Sequence, residues 1–403
     1  MLPRSLYIHV PFCSRRCSYC DFAVQAVSHA PTEEWLDAVV TELKLTAAEQ
    51  RWNQRLVLDT LYIGGGTPSL LDPGAMHSLI ARISPWAVLA PGAEWTCEAN
   101  PESFTPAVAS AWRAAGVNRL SLGAQTFSQE ALRWMGRLHG VDGPGRAMGT
   151  ARVAGFKNVS IDLIFGLPAR LDRDWRRDLE KAIALDPEHV SLYGLTAEAS
   201  APLGRWVGEG RETLADEDRY ADEYLLANDL LKAAGFGHYE VSNFARPGLR
   251  SRHNSVYWTG APYAALGPGA HAFYPPQRRW NVRSWESYRD LLQDERLPID
   301  GKEEVEREVE ELERIWLGLR TDAGLDLSGA SPKQHLLADL WRRNGLAVER
   351  EDVLQLNVNG WLLLDRLAMQ MQEAGGEELR WAGAIDDRSE GAQISANSNG
   401  FEA

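Results

Sequence analysis

Six short apolar, β-prone runs punctuate the first half of the chain, at Leu6 to Val10, Asp59 to Ile63, Glu94 to Glu98, Arg119 to Gly123, Val159 to Phe165 and His189 to Gly194. Helical spacing takes over between them. Trp35, Leu36, Val39, Val40 and Leu43 form one stripe after the first run. Thr105 followed by Pro106 is a capped helix start that leads through Trp112 to a stop near Gly116, and Asp172 or Asp174 begins a helix through Trp175, Leu179 and Ile183. Strand and helix in alternation predict a parallel sheet. Right-handed crossovers curl six such units toward an α/β fold of the open, partial (β/α)6 barrel kind.

The pattern loosens after about Ala197. A helix is expected from Asp216 to Ala234, then a region dense in Gly, Pro and aromatics from Gly235 to Pro276. A new helix is predicted from Glu303, with Val305, Val309, Leu312, Trp316 and Leu319 on one face and glutamates on the solvated other. Residues 331–372 read as helix, hairpin around Asn357-Val-Asn-Gly360, helix, the outline of a winged-helix-like domain. The expected organisation is a barrel core over 1–235, a loop-rich extension over 236–300, a helical, winged-helix-like domain over 301–375 and a disordered tail over 376–403, rich in Gly, Glu, Ser and Asn.

Charge narrows the class. With 42 Lys and Arg against 56 Asp and Glu the net charge is -14, which argues against nucleic-acid binding, because that relies on basic surface to displace counterions. No apolar run approaches the ~20 residues that span a bilayer, and the start carries no signal-peptide hydrophobic region. Four cysteines, three of them clustered, do not make a secreted disulfide framework, so a reducing, cytoplasmic setting is expected.

The clustered cysteines, Cys13, Cys17 and Cys20, have the spacing C-x3-C-x2-C. Three thiolates from one loop leave a four-iron cluster one ligand short of the usual four, and the iron without a protein ligand is a place for chemistry. The alternative is a structural zinc knot with His9 as the fourth ligand. Cys97, far along the chain in a strand-like segment, is expected to be buried and apolar.

The other polar motifs fall just past strand ends, where the carboxyl-end face of an αβ barrel gathers its active site. Gly64-Gly-Gly-Thr-Pro68 follows the second run, and its missing side chains would let a ligand lie against backbone amides. Glu98 and Asn100 end the third and Gln125 follows the fourth, while Asp162 lies inside the fifth. Glu98 and Asp162 could accept from an amine or ribose, and Arg137 could pair with a carboxylate; taken singly each is more often a cap or a structural ion pair, and their value lies in the arrangement. His253-Asn-Ser-Val-Tyr-Trp258 follows Arg246, Arg250 and Arg252. Its histidine could ligate haem iron beside arginines for the propionates, or be a hydrogen-bonded core residue. Gly267-Pro-Gly-Ala-His271 reads better as a structural turn.

The cysteine loop together with Gly64 to Pro68 resembles the radical S-adenosylmethionine proteins. The resemblance implies that the triad holds a 4Fe-4S cluster, whose open iron is chelated by the amine and carboxylate of S-adenosyl-L-methionine and whose electron cleaves that cofactor to a 5′-deoxyadenosyl radical. Tyr7 to Phe12, Ser121 to Thr126, Ile161 to Pro168 and Tyr239 to Phe244 are similar to the branch that contains oxygen-independent coproporphyrinogen III dehydrogenase, over about residues 5 to 372. It implies a partial barrel with a helical C-terminal domain, and cofactor contacts from Tyr7, Tyr19, Gly65, Gly66, Thr67, Glu98, Gln125, Arg137 and Asp162.

Phe22 stands where the dehydrogenase has a fourth cysteine, and the dehydrogenase's extension ahead of the first strand is absent, since Tyr7 lies almost at the start. Phe22 and the His253-Asn-x-x-Tyr-Trp258 stretch instead resemble a haem-chaperone family of this branch, in which the histidine is implicated in binding haem. That implies haem and haem-requiring target proteins as partners, with a reductant for the cluster; the alternative is oxidative decarboxylation of two coproporphyrinogen propionates. A membrane-bound target would bring peripheral membrane association without an anchor, and a homodimer stays open.

Overall fold

The computed structural model describes residues 2–375. The tail expected over 376–403 lies outside the described residues. All six apolar runs are strands: β1 Ser5–Val10, β2 Leu56–Gly65, β3 Ala87–Ala99, β4 Arg119–Gln125, β5 Val159–Phe165 and β6 His189–Gly194. The crossovers carry α1 Thr32–Glu49, α2 Ala75–Ile83, α3 Pro106–Ala115, α4 Gln129–Met135, α5 Gly143–Val153 and α6 Trp175–Ala184. Capping places the helices as the sequence suggests. Thr105 accepts from the Val108 amide and Gly116 closes α3 in the left-handed region. Asp174, not Asp172, caps α6 by accepting from the Arg177 amide.

The six strands pair in parallel and in chain order, and three short strands extend them: β7 Gly237–Glu240, β8 Asn243–Ala245 and β9 Ala264–Leu266. The resulting nine-stranded sheet runs β9-β1-β2-β3-β4-β5-β6-β8-β7. Only β7 and β8 are antiparallel additions, and the outermost strands do not pair, so the barrel is open.

Strand alternation gives the two faces different chemistry. Leu61, Ile63, Trp95, Cys97, Leu120 and Leu122 point outward beneath the helices and are fully buried. Cys97 is the apolar residue expected, its sulfur 3.7 Å from that of Met76 in α2. The inner face is polar. Ser5 and Thr60 bond across β1 and β2 at 2.8 Å, and Ser121 and Ser160 both donate to Asp162. Such a polar lining is kept where its groups find partners inside, as these do.

The loop-rich stretch is more regular than its composition suggests. It holds an antiparallel sheet of β10 His271–Tyr274, β11 Gln277–Asn281 and β12 Ile299–Glu304, with a helix at Trp285–Gln293. Buried Glu42 of α1 ties this stretch to the barrel, accepting from the Gly267 amide at 2.8 Å, Asn281 Nδ2 at 2.6 Å and the Tyr288 hydroxyl at 2.5 Å. Gly267 is the structural turn expected: its φ is +103°, and a Cβ there would lie 2.6 Å from the His9 carbonyl.

Contacts divide the described residues into two units, the second comprising 258–260 and 306–375. Two expectations for this region need correction. Glu303 does not start a helix: it sits in β12 opposite Arg278 and pairs with it at 2.8 Å, and the helix is Arg307–Arg320. Of its predicted apolar face only Leu319 is buried, alongside Ile315 and Leu317, and Val309 is exposed. The hairpin is not at Asn357 either. It joins β13 Ala347–Arg350 to β14 Val353–Leu356, whereas Asn357 caps a short helix at Val358–Trp361 by accepting from two backbone amides. Asn is as good a cap as a turn former, and the local sequence does not choose.

Glu42 generates a prediction. Burial pushes its carboxyl up from 4.5 to about 6, against the three donors it faces. A carboxyl that holds its proton more tightly when folded contributes stability below about pH 4.5 that is lost as pH rises through about 6. The metal-free protein is therefore expected to lose about 2 kcal/mol over that window from this group. Glu42→Gln should flatten the slope there in urea titrations at stepped pH, while lowering stability throughout because its amide nitrogen meets donors.

Candidate functional site

The cysteine loop leaves β1 through Pro11 and begins with Phe12 and Cys13, which pair in parallel with Gln25 and Ala26 at its far end. The loop is thus closed on itself. His9 locks it to the sheet: the buried ring meets the Tyr7 hydroxyl at 2.9 Å through Nδ1 and the Ala23 carbonyl at 3.0 Å through Nε2. Both nitrogens are engaged, so His9 is not a fourth metal ligand in this fold. Among the described residues no three Cys, His, Asp or Glu side chains converge as they would around one ion. Three thiolates from one loop are the donor set by which a protein holds an iron-sulfur cluster.

The three thiols are half-buried and free, and each faces a donor. Thr67 Oγ1 lies 3.5 Å from Cys13 Sγ, Arg137 Nη1 lies 3.8 Å from Cys17 Sγ, and the Phe22 amide donates to the sulfur of Cys20. Donors to sulfur stabilise negative charge there. Burial pushes the metal-free thiols of Cys13 and Cys20 up to about 11 and about 12. Taking up a metal group would therefore release protons.

The glycines after β2 are required by space. A Cβ on Gly66 would lie 2.7 Å from the Phe12 carbonyl, 2.8 Å from that of Val10 and 3.0 Å from Cys13 Sγ. Gly65 has φ +106°, and a side chain there would strike the His9 ring. Gly65 also donates its amide to Glu98 Oε2 at 2.9 Å, while Tyr62 donates to Glu98 Oε1 at 2.7 Å. Burial, with the like charge of Asp162 adding to it, pushes Glu98 up to about 7 despite those bonds.

Gln125 ends β4 with φ +65°, at a bulge that re-aims its side chain. Its amide nitrogen, Asn100 Oδ1 and Arg137 Nη2 all crowd the bare Cα of Gly123. Arg137, in the loop after α4, donates to Asn100 and to the Gly123 carbonyl, and its buried Nε has no partner among the described residues. That free donor fits a ligand carboxylate. Tyr19 is half-buried next to Arg137 and Cys17. Asp162 faces Glu98 from β5, bonded to Ser121 and Ser160, and burial raises its pKa. The structure thus brings Cys13, Cys17, Cys20, Tyr19, Gly65, Gly66, Thr67, Glu98, Gln125 and Arg137 together at or just past the carboxyl ends of the strands, with Asp162 midway along β5 facing Glu98. Tyr7 lies one layer below, against Tyr62.

His253 is elsewhere. It is buried, with Nδ1 2.8 Å from Thr60 Oγ1 and Nε2 2.8 Å from the Tyr257 hydroxyl, and its ring packs on Tyr62 at 5.1 Å. Thr60 precedes Gly64 by four residues, a strand rise of about 13 Å from the site's mouth. Burial holds the ring neutral, with its pKa down to about 3. Both ring nitrogens are thus hydrogen-bonded within the fold, the arrangement of the core histidine that stands as the alternative to an axial role. Arg246 pairs with Asp186 and Arg252 bonds the Gly92 carbonyl. Neither is held for a propionate.

Sequence reasoning passed over Tyr62, His9 as a lock, and the bonds of Asn100. Their signal was strand parity: Tyr62 alternates with Thr60 and Gly64, and Asn100 follows Glu98 by two.

Residues 7–182 match the family model described as the Radical SAM superfamily. The chain is 38% identical over 369 residues to the protein named heme chaperone HemW of Mycobacterium tuberculosis, covering 90% of this chain and 93% of that one. It is 34% identical over 374 residues to the HemW of Bacillus subtilis, covering 89% and 97%. Among solved structures, the coproporphyrinogen III oxidase HemN of Escherichia coli superposes with a TM-score of 0.76 at 20% identity, covering 92% of this chain and 90% of that one. The last likeness is one of fold.

The placement of His253 predicts that His253→Ala costs about 2–4 kcal/mol, from a cavity and two stranded hydroxyls. Denaturant titration of the metal-free protein reads this, and unchanged stability would remove His253 from the core.

Proposed function

This chain belongs to the heme chaperone HemW family of radical SAM proteins, and we propose from that premise that it binds haem and passes it to haem-requiring proteins. The observation that carries the reading is the similarity along nearly the whole of both chains, 90% of this one and 93% of the relative. A 4Fe-4S cluster and S-adenosyl-L-methionine are its resident cofactors in this reading. Cys13, Cys17 and Cys20 hold the cluster, which supplies an open iron to chelate S-adenosyl-L-methionine and an electron to reduce it.

The chain's own residues bind and orient. Gly65 and Gly66 let the cofactor approach the backbone, Thr67 and Tyr19 flank the cluster, and Arg137 offers its unpartnered Nε to a carboxylate. Glu98, Gln125 and Asp162 take the polar groups opposite, with Tyr7 supporting from below. Phe22, 44% exposed, supplies neither thiolate nor acid beside Cys20, which favours carriage of haem over completion of its precursor.

Its partners are haem, an acceptor haem protein and a reductant for the cluster. We place it in the cytoplasm, where thiolates stay reduced. Contact with a membrane-bound acceptor would be peripheral; among the described residues no helix is long and apolar enough to cross a membrane. A homodimer is compatible with this reading and is decided by sedimentation.

One anaerobic preparation tests the function. Reconstituted protein is expected to bind haem, read from its Soret band, and to leave coproporphyrinogen III unchanged when S-adenosyl-L-methionine and reductant are supplied. Conversion to protoporphyrinogen IX would overturn the reading in favour of the dehydrogenase. Cys17→Ser should lose the brown chromophore and bound iron. Zinc without sulfide in the parent protein would instead establish the zinc knot.

A further inference from the structure

Asn100 is not among the cofactor contacts implied by resemblance, and no hydrogen bond joins it to a cysteine. Its amide nevertheless links two residues that do reach sulfur. Arg137 Nη2 donates to Asn100 Oδ1 at 2.6 Å, while Nη1 of the same guanidinium faces Cys17 Sγ at 3.8 Å. Asn100 Nδ2 donates to Thr67 Oγ1 at 2.9 Å, and Thr67 Oγ1 in turn faces Cys13 Sγ at 3.5 Å. The chain therefore runs unbroken from one sulfur to another.

The direction of each bond follows from donor chemistry. A guanidinium can only donate, so the amide oxygen must face Arg137 and the amide nitrogen must face Thr67. That nitrogen donates to the Thr67 oxygen and leaves the hydroxyl proton for sulfur. The Asn100 backbone is held as well: its N–H donates to Ser69 Oγ at 3.2 Å, and its carbonyl accepts from the Ser103 and Phe104 amides, both at 3.1 Å.

We propose that Asn100 is a positioning residue that sets the reduction potential of the cluster, by aiming the Thr67 hydroxyl at Cys13 and the Arg137 guanidinium at Cys17. The proposal rests on the cluster reading above. Hydrogen bonds to ligand sulfur stabilise the reduced, more negative cluster, so losing them lowers the potential. In Asn100→Asp the carboxylate accepts from both neighbours. The Thr67 proton then turns toward it and away from Cys13, and a negative charge is added.

The test is an anaerobic redox titration of the full chain, reconstituted with iron and sulfide, without S-adenosyl-L-methionine, and followed by electron paramagnetic resonance. Asn100→Asp and Thr67→Val are each expected to move the midpoint negative, by about a tenfold change in the reduction equilibrium, or ~59 mV for one electron. Thr67→Ser should keep the parent midpoint, because it keeps the hydroxyl. In a Thr67→Val background, Asn100→Asp should shift the midpoint by less than it does alone, since one of its routes runs through Thr67. A parent-like midpoint in Asn100→Asp, or full additivity with Thr67→Val, would overturn the proposal while leaving the cluster intact. Failure of the parent chain to form an iron-sulfur chromophore would overturn the cluster reading itself, and this proposal with it.

Discussion

The site depends on one buried imidazole. His9 sits at the upper end of β1 with Nδ1 on the Tyr7 hydroxyl, Nε2 on the Ala23 carbonyl and its own carbonyl accepting from Trp35 Nε1 of α1 at 3.0 Å. Burial keeps it neutral, its pKa down to about 4. A neutral ring has one donor and one acceptor, and a carbonyl can only accept, so Nε2 carries the proton and Nδ1 receives the Tyr7 hydroxyl. The cysteine loop is therefore held at its far end by a bond whose polarity is determined. Gly65 and Gly267 meet this histidine from opposite sides, each with positive φ and no room for a side chain. First strand, cysteine loop, second strand and the returning β9 connection all close on the same residue.

Around that lock the barrel separates its chemistry by strand parity. Outward residues are apolar and fill the layer beneath the helices; inward residues include hydroxyls, carboxylates and imidazoles, many of which bond one another. Glu98 near the end of β3 and Asp162 midway along β5 are inward residues that become half-exposed. There the bonds of Glu98, Asn100 and Arg137 leave specific donors and acceptors open. The same polar lining explains His253. An imidazole in this interior is served by Thr60 and Tyr257, so a motif read along the chain as a ligand is tied into the packing of the barrel.

The first half of the chain was legible because periodicity and capping agree there. Thr105, Asp174 and Gly116 each mark the helix end they occupy. The C-terminal part was less so. Glu303 and its neighbours carry the charge pattern of an exposed helix, yet Arg278 across the sheet draws Glu303 into an edge strand. Asn357 suits a hairpin turn and a helix cap equally, and the chain uses it as the cap.

The sequence by itself determined the chemistry and its order: three thiols in one loop, glycines after the second strand, and carboxylate, amide and guanidinium at or near later strand ends. Those are local properties, set by residue type and by the alternation that decides which face a strand side chain takes. Only the tertiary structure decided which groups are engaged and which are free. Hydrogen-bond partners such as Ala23 for His9, Tyr257 for His253 and Thr67 for Asn100 are chosen by how strands pack side by side. No spacing along the chain encodes a saturated nitrogen, and that saturation separates a ligand from a support.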